Sequence, residues 1–184
     1  MASMTTIQDL LTAEIKDLYS AEKQLIKALP KMVSGAKDPD LKAAFKAHLE
    51  ETKQQAERLV KIAEIMGTKA TGKVCKGMEG VIEEGAEALS EDGDAIILDL
   101  GIISAASRVE HYEIAGYSSA ISLAEALGHT EAVKLLNESL FEENGAEASL
   151  SELCARLISQ CGERDADSDP VRGRMGEKTM AGKT

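Results

Sequence analysis

The chain is 184 residues long, which suits one domain with a substantial core. Its net charge of −11 argues against a nucleic-acid surface, because phosphate recognition needs clustered lysine and arginine. Aromatic residues are 3% of the total and tryptophan is absent, while Ala, Leu, Glu and Lys dominate, which predicts an all-α protein.

The first long helix begins after Thr5 or Thr6, either able to cap it, with Asp9 early in its first turn. Its stripe runs Ile7, Leu11, Glu14, Leu18, Glu22, Leu25, Leu29 and Met32, and Pro30 is expected to kink or end the last turn. Gly35 and Asp38-Pro39-Asp40 then close a hairpin. The second helix starts near Asp40 and stops at Gly67. Its face carries Leu41, Ala44, Phe45, His48, Glu51, Gln55, Leu59, Ile62 and Met66, so that His48, Glu51 and Gln55 interrupt an apolar stripe at its centre.

Between Thr68 and Gly93 lies a glycine-rich connection with a short amphipathic segment, Met78, Val81, Ile82, Ala86 and Leu89. That length fits a crossover carrying a small helix outside the bundle. The third long helix runs from about Asp94 to Leu127, with Gly128 as the residue that ends it. At about 100° per residue, Asp99, Ile103, Ala106, Glu110, Glu113, Tyr117, Ile121 and Ala124 share one narrow face. The fourth carries Val133, Leu136, Leu140, Glu143, Glu147, Leu150, Cys154, Leu157 and Cys161 and ends near Gly162. Its short turn makes it antiparallel to the third. Residues 163–184 hold five acids and five bases without a periodic apolar face. They are expected to form a polar, disordered tail beside a bundle of residues 1–162.

Cys75, Cys154 and Cys161 show no metal-ligand spacing. The last two stand about 10 Å apart along one helix, too far for a disulfide, so a reducing compartment is expected. MASMTTIQDLL has neither a basic nor a long apolar segment, and no apolar run is long enough to span a bilayer. The reading is a cytoplasmic protein with no membrane partner.

Two carboxylates one turn apart in an apolar stripe cost several kcal/mol each, roughly, if buried as bare anions without partners. Turn arithmetic asks whether the acids of the other helices meet them. With the first hairpin centred near residue 37, Glu22 lies opposite residue 52, beside Glu51. With the second centred near 129, Glu110 and Glu113 lie opposite residues 148 and 145, bracketed by Glu147 and Glu143. Both hairpins thus place their acids at one level, where neighbouring like charges cannot all ionise without cations. Two divalent metals would balance them, and a carboxylate-rich set with one imidazole suits iron or manganese better than structural zinc. Taken singly, Glu14 reads as a boundary residue whose head reaches water, His48 as a half-buried histidine and Tyr117 as core packing, with a hydrogen bond to a ligand or a redox role as its alternative. His111 and His129 fall off the stripes and read as surface.

The segments DLYSAEKQLIKALPKM, AHLEETKQQAERL, RVEHYEIAGY and LFEENGAEASL resemble the YciF-like family of ferritin-like proteins, bacterial stress-associated proteins, over roughly residues 5–160. The resemblance implies a ferritin-like four-helix bundle of two antiparallel hairpins with a short extra helix in the crossover. It also implies a homodimer and a rubrerythrin-type di-metal centre. It points to Glu22, His48, Glu51, Glu110, Glu113 and Glu143 as metal ligands, with Glu147 one turn further on. Wider ferritin-like enzymes place Glu-x-x-His on the second and fourth helices. Here Gln54 follows Glu51 and Ala146 follows Glu143 at that spacing, and His48 instead precedes Glu51.

The expected function is a di-metal, di-iron in the first instance, oxidoreductase-like protein acting on peroxide or dioxygen under stress. In that scheme Glu51 and Glu143 bridge the metals, Glu22 and Glu110 are terminal, Glu113 shifts its coordination and His48 gives the nitrogen. Three scattered cysteines cannot build an iron–sulfur site, so the electron donor is external. The alternatives are iron storage in a cage and a non-catalytic stress or interaction protein with a vestigial site.

Overall fold

A computed structural model describes residues 4–168, and it contains five helices: α1 (Ile7–Gly35), α2 (Pro39–Ile65), α3 (Lys76–Ser90), α4 (Ala95–Ala126) and α5 (Thr130–Ser168). Side-chain capping sets most of the helix starts, the first of them at Thr6 as the sequence suggests. Thr6 and Asp9 form a reciprocal capping box on α1, and Asp38 and Asp94 cap α2 and α4 by accepting backbone N–H groups of their first turns. Gly67 and Gly128 follow the ends of α2 and α4 at φ 69° and 73°, a left-handed conformation that side chains resist.

Two expectations about helix ends change. α1 runs through Pro30 to Gly35, because proline removes only one intrahelical bond and the buried Leu29 and Met32 on either side hold the turn against the core. α5 continues past Gly162 to Ser168, since a lone glycine only weakens a helix. The rest of the expected tail, 169–184, lies outside the described residues.

Antiparallel neighbours follow from contacts at matching heights. The backbone N–H groups of Lys37 and Asp38, in the α1–α2 turn, donate to Asp99 at the start of α4, at 2.8 and 2.7 Å. At the other end His129, after α4, lies 3.0 Å from the Gln8 amide of α1. His129 is therefore a half-buried clasp between helix ends, not the surface residue its sequence position suggests. Arg156 of α5 reaches Asp38 at 2.8 Å. This contact and a hydrogen bond from its own helix's first turn hold the Asp38 carboxyl below its usual range. α1 thus runs antiparallel to α2 and α4, and α5 antiparallel to α4 and α2. α2 and α4 run parallel because the connection between them traverses the bundle.

α3 rides outside this bundle, and its start is clipped in place by Cys75. The buried thiol meets the Asp17 carboxylate and the Tyr112 hydroxyl, each at 2.9 Å, while the Cys75 N–H donates to Ser20 and its carbonyl accepts from Gln24. Burial and the Asp17 charge push the thiol's pKa up, which keeps it unreactive.

All eight residues of the α4 stripe are buried. The apolar core, however, is not continuous. One block gathers Leu25, Leu29, Phe45, Met78, Ile103 and Leu157, and a second gathers Leu11, Ile15, Leu59, Ile62, Ile121 and Leu136. Between them lies a layer of buried polar side chains. Ile7 is exposed instead of joining the α1 stripe, whose packing begins at Leu11.

Candidate metal centre

Each long helix contributes to the polar layer: Glu22 from α1, His48, Thr52 and Gln55 from α2, Glu110 and Glu113 from α4, Ser139 and Glu143 from α5. The helical period produces this directly, since positions 48, 52 and 55 on α2 and 110 and 113 on α4 repeat one face at steps of three and four. His48, Glu110, Glu113 and Glu143 each place one ligand atom within 4.8 Å of all the others. His48 Nε2 lies 3.4 Å from Glu110 Oε1 and 4.0 Å from Glu143 Oε2.

Burial here is not matched by hydrogen bonding. Both oxygens of Glu113 and of Glu143, Oε2 of Glu22 and of Glu110, both ring nitrogens of His48 and both polar atoms of the Gln55 amide lack a hydrogen-bond partner. Burial pushes the Glu22, Glu110 and Glu113 carboxyls well above the ordinary range, and the charges of their neighbours push the same way. Burial also raises Glu143, against the opposing pull of the neighbouring His48. Arg58 relieves little of this, because its guanidinium grips both oxygens of Glu142 at 2.6 Å.

One oxygen of Glu22 does have a partner. The Tyr117 hydroxyl, fully buried one turn beyond Glu113, donates to Glu22 Oε1. Burial and the adjacent acids raise the phenol's pKa, so it stays a donor. The ring packs in the core as the stripe implies, and the hydroxyl makes the hydrogen bond that was its alternative reading.

Of the seven residues the sequence singles out, Glu22, His48, Glu110, Glu113 and Glu143 come together in the buried layer. Glu51 and Glu147 stand at its edge. The Glu51 side chain is 42% exposed and lies 3.6 Å from His48 Nδ1, on the ring's outer side. His48 pulls its carboxyl below the ordinary range. Thr52 takes the inward position instead, because a step of four from His48 stays on the stripe that leads to Gln55. Glu147 is half-buried with Oε2 3.6 Å from His111 Nδ1. Thr52 and Ser139 were missed by the sequence reading. Their signal was present in the α2 and α5 spacing, but small hydroxyl residues do not break an apolar stripe conspicuously.

The donor set fits a divalent first-row metal. It is dominated by carboxylates, holds one imidazole, lacks thiolate and has acceptor atoms left over after every protein hydrogen bond is counted. Facing helices of a bundle present such sets at mid-height.

Comparison with known proteins agrees with the architecture. Residues 6–161 match the family described as a domain of unknown function, DUF892. Protein YciF of Escherichia coli (strain K12) is 40% identical over 165 residues, 89% of this chain and 99% of that protein. The crystal structure of the E. coli stress protein YciF aligns with a TM-score of 0.82 at 41% identity, covering 85% of this chain and 99% of that one. A dodecameric thioferritin, the bacterioferritin-related protein of Bacteroides fragilis, shares the fold with a TM-score of 0.66 at 13% identity, covering 85% of this chain and 90% of that one. An all-α, ferritin-like bundle with a match over most of its length places this chain in the YciF-like DUF892 family.

Proposed function

We propose that the polar layer seats two divalent metal ions, iron first and manganese as the alternative, and that the protein is a cytoplasmic, stress-associated redox protein acting on peroxide or dioxygen. The observation that carries this reading is the set of partnerless buried atoms on Glu22, His48, Glu110, Glu113 and Glu143. Bare burial of that many acceptors is costly, and bound cations remove the cost. The stress protein YciF, as a relative covering most of the chain, lends support to the physiological setting.

His48, Glu110, Glu113 and Glu143 would hold the ions, Glu22 would complete the set from α1, and Glu51 and Glu147 would flank it as outer ligands. When bound, the metals supply electrons and Lewis acidity for cleaving an O–O bond. The chain's own contribution is positional. Tyr117 fixes the Glu22 carboxylate, the two apolar blocks keep bulk water from entering along the bundle axis, and opposed helices hold the acids at one height. The electron donor is external, and the expected assembly is a homodimer. Among the described residues no helix is long and apolar enough to cross a membrane.

Elemental analysis of protein purified from iron-supplemented culture, with visible spectra before and after peroxide, tests the reading. About two ions per chain and a spectrum that changes on peroxide addition support it. Metal-free protein with a silent spectrum after growth in iron and in manganese overturns it. A dimer on size exclusion, instead of a cage, separates this role from storage.

A further inference from the structure

α2 and α5 face each other through small side chains, Ala44 and Ala47 on one helix and Gly145, Ala146 and Ser149 on the other, leaving a cleft of about 300 Å³. That is room for on the order of ten waters and matches the lower end, roughly 300 Å³, of small-molecule sites. Gly145 adds no side chain to this lining. Helix interiors disfavour glycine, yet this one serves no turn or close approach, because a Cβ built there meets nothing within 4 Å.

The cleft leads to the metal layer. His48 and Glu110 line it. They are 5% and 3% exposed, and the His48 ring nitrogens and Glu110 Oε2 have no hydrogen-bond partner. Both of the chain's phenylalanines line the same cleft: Phe45 is buried, and Phe141 stands 81% exposed. The remaining charged lining is acidic, from Glu51 and from Glu142, the latter paired with Arg58. The three parts specify different things. The inner end, at His48 and Glu110, has room beside the metal layer for a small polar head. The phenylalanines suit an apolar body, which hydrogen peroxide lacks, and the acids disfavour a carboxylate.

We propose that this cleft is the substrate entrance and that the substrate class is a small neutral alkyl or aryl hydroperoxide. The proposal rests on the metal-centre reading. Reduction would break the O–O bond and yield an alcohol and water, with bound reduced metals supplying two electrons and solvent two protons. The chain's part is to seat the apolar body between Phe45 and Phe141 with the oxygen end toward His48 and Glu110.

The test uses 2-phenyl-2-propanol, the unreactive alcohol of matching shape, titrated into the metal-free full-length protein and followed by amide NMR. Saturable shifts centred on Ala44, Ala47, Gly145 and Ala146 are expected. Gly145→Leu fills the cleft and should weaken binding by about tenfold or more with metal uptake unchanged, while Gly145→Ala, a smaller intrusion, should retain most of it. Equal binding by a folded Gly145→Leu protein, or shifts mapping elsewhere, overturns the proposal, as does a dimer that buries Phe141 and excludes the alcohol. Metal uptake without saturable alcohol binding removes the substrate class and leaves the metal centre standing. Alcohol binding without metal uptake supports the cleft and its ligand class but overturns the reduction.

Discussion

Asp99 and Glu113 lie on the same face of α4 and are equally hidden from water, at 2% and 0% exposure, yet their surroundings are opposite. Asp99 accepts two backbone N–H groups from the turn between α1 and α2. Glu113 has no hydrogen bond to either oxygen and faces Glu22, Glu143 and Glu110. Burial alone therefore says nothing about what a carboxylate is for. An acid whose lone pairs the protein fills is accounted for by the fold, and one whose lone pairs are left open, as at Glu113, is not.

Three experiments break or sharpen this contrast. The largest effect is expected from Asp99→Ala, which strands two N–H groups at a turn and should cost about 3 kcal/mol in denaturant unfolding, with metal content per folded chain unchanged. Glu113→Gln should do the reverse. Glutamine has no proton to lose, so the metal-free protein no longer gives up the ionisation its unfolded carboxyl gains above pH 4.5, and it should be stabilised by about 1 kcal/mol while metal uptake falls sharply. If Glu113→Gln instead destabilises the metal-free protein as much as Asp99→Ala does, the two acids are alike and the distinction fails.

The gentlest test is a pH series on the metal-free protein. Glu22, Glu110, Glu113 and Glu143 have pKa values raised above the ordinary 4.5 in the folded state, so the folded chain holds protons that the unfolded chain releases. Stability should therefore decline as pH rises from 4.5 through their raised values. With metal bound the ions stand where the protons stood, and that decline should vanish, because protons and metal then compete for the same atoms. A metal-free protein whose stability is flat or rising over that interval contradicts the shifts.

Much of this was legible in the sequence because it is local or periodic. The Thr6 cap and the helix starts near Asp40 and Asp94 depend on a few neighbouring residues, although the capping by Asp38 and Asp94 themselves was not read. The common level of Glu22, Glu110, Glu113 and Glu143 follows from helix pitch and hairpin length. What escaped depends on tertiary choices between adjacent options. Glu51 and Thr52 are three and four residues from His48, and either step is compatible with a helix face; only the packed position of α2 against α1 and α5 turns Thr52 inward. The pairings of Asp99 with the distant turn and of His129 with Gln8 join residues far apart in sequence. Tyr117 reads first as packing because its ring is core, and only its hydroxyl oxygen reaches Glu22.

The two clasps at opposite ends of the bundle carry a consequence for how the centre is filled. Asp99 grips the first hairpin at one extremity and His129 meets Gln8 at the other, so the vertical alignment of the rods is set by contacts that involve none of the acids between them. A container braced at its rims keeps its shape whether empty or full. Any ions the centre takes up would then come and go without the vessel coming apart.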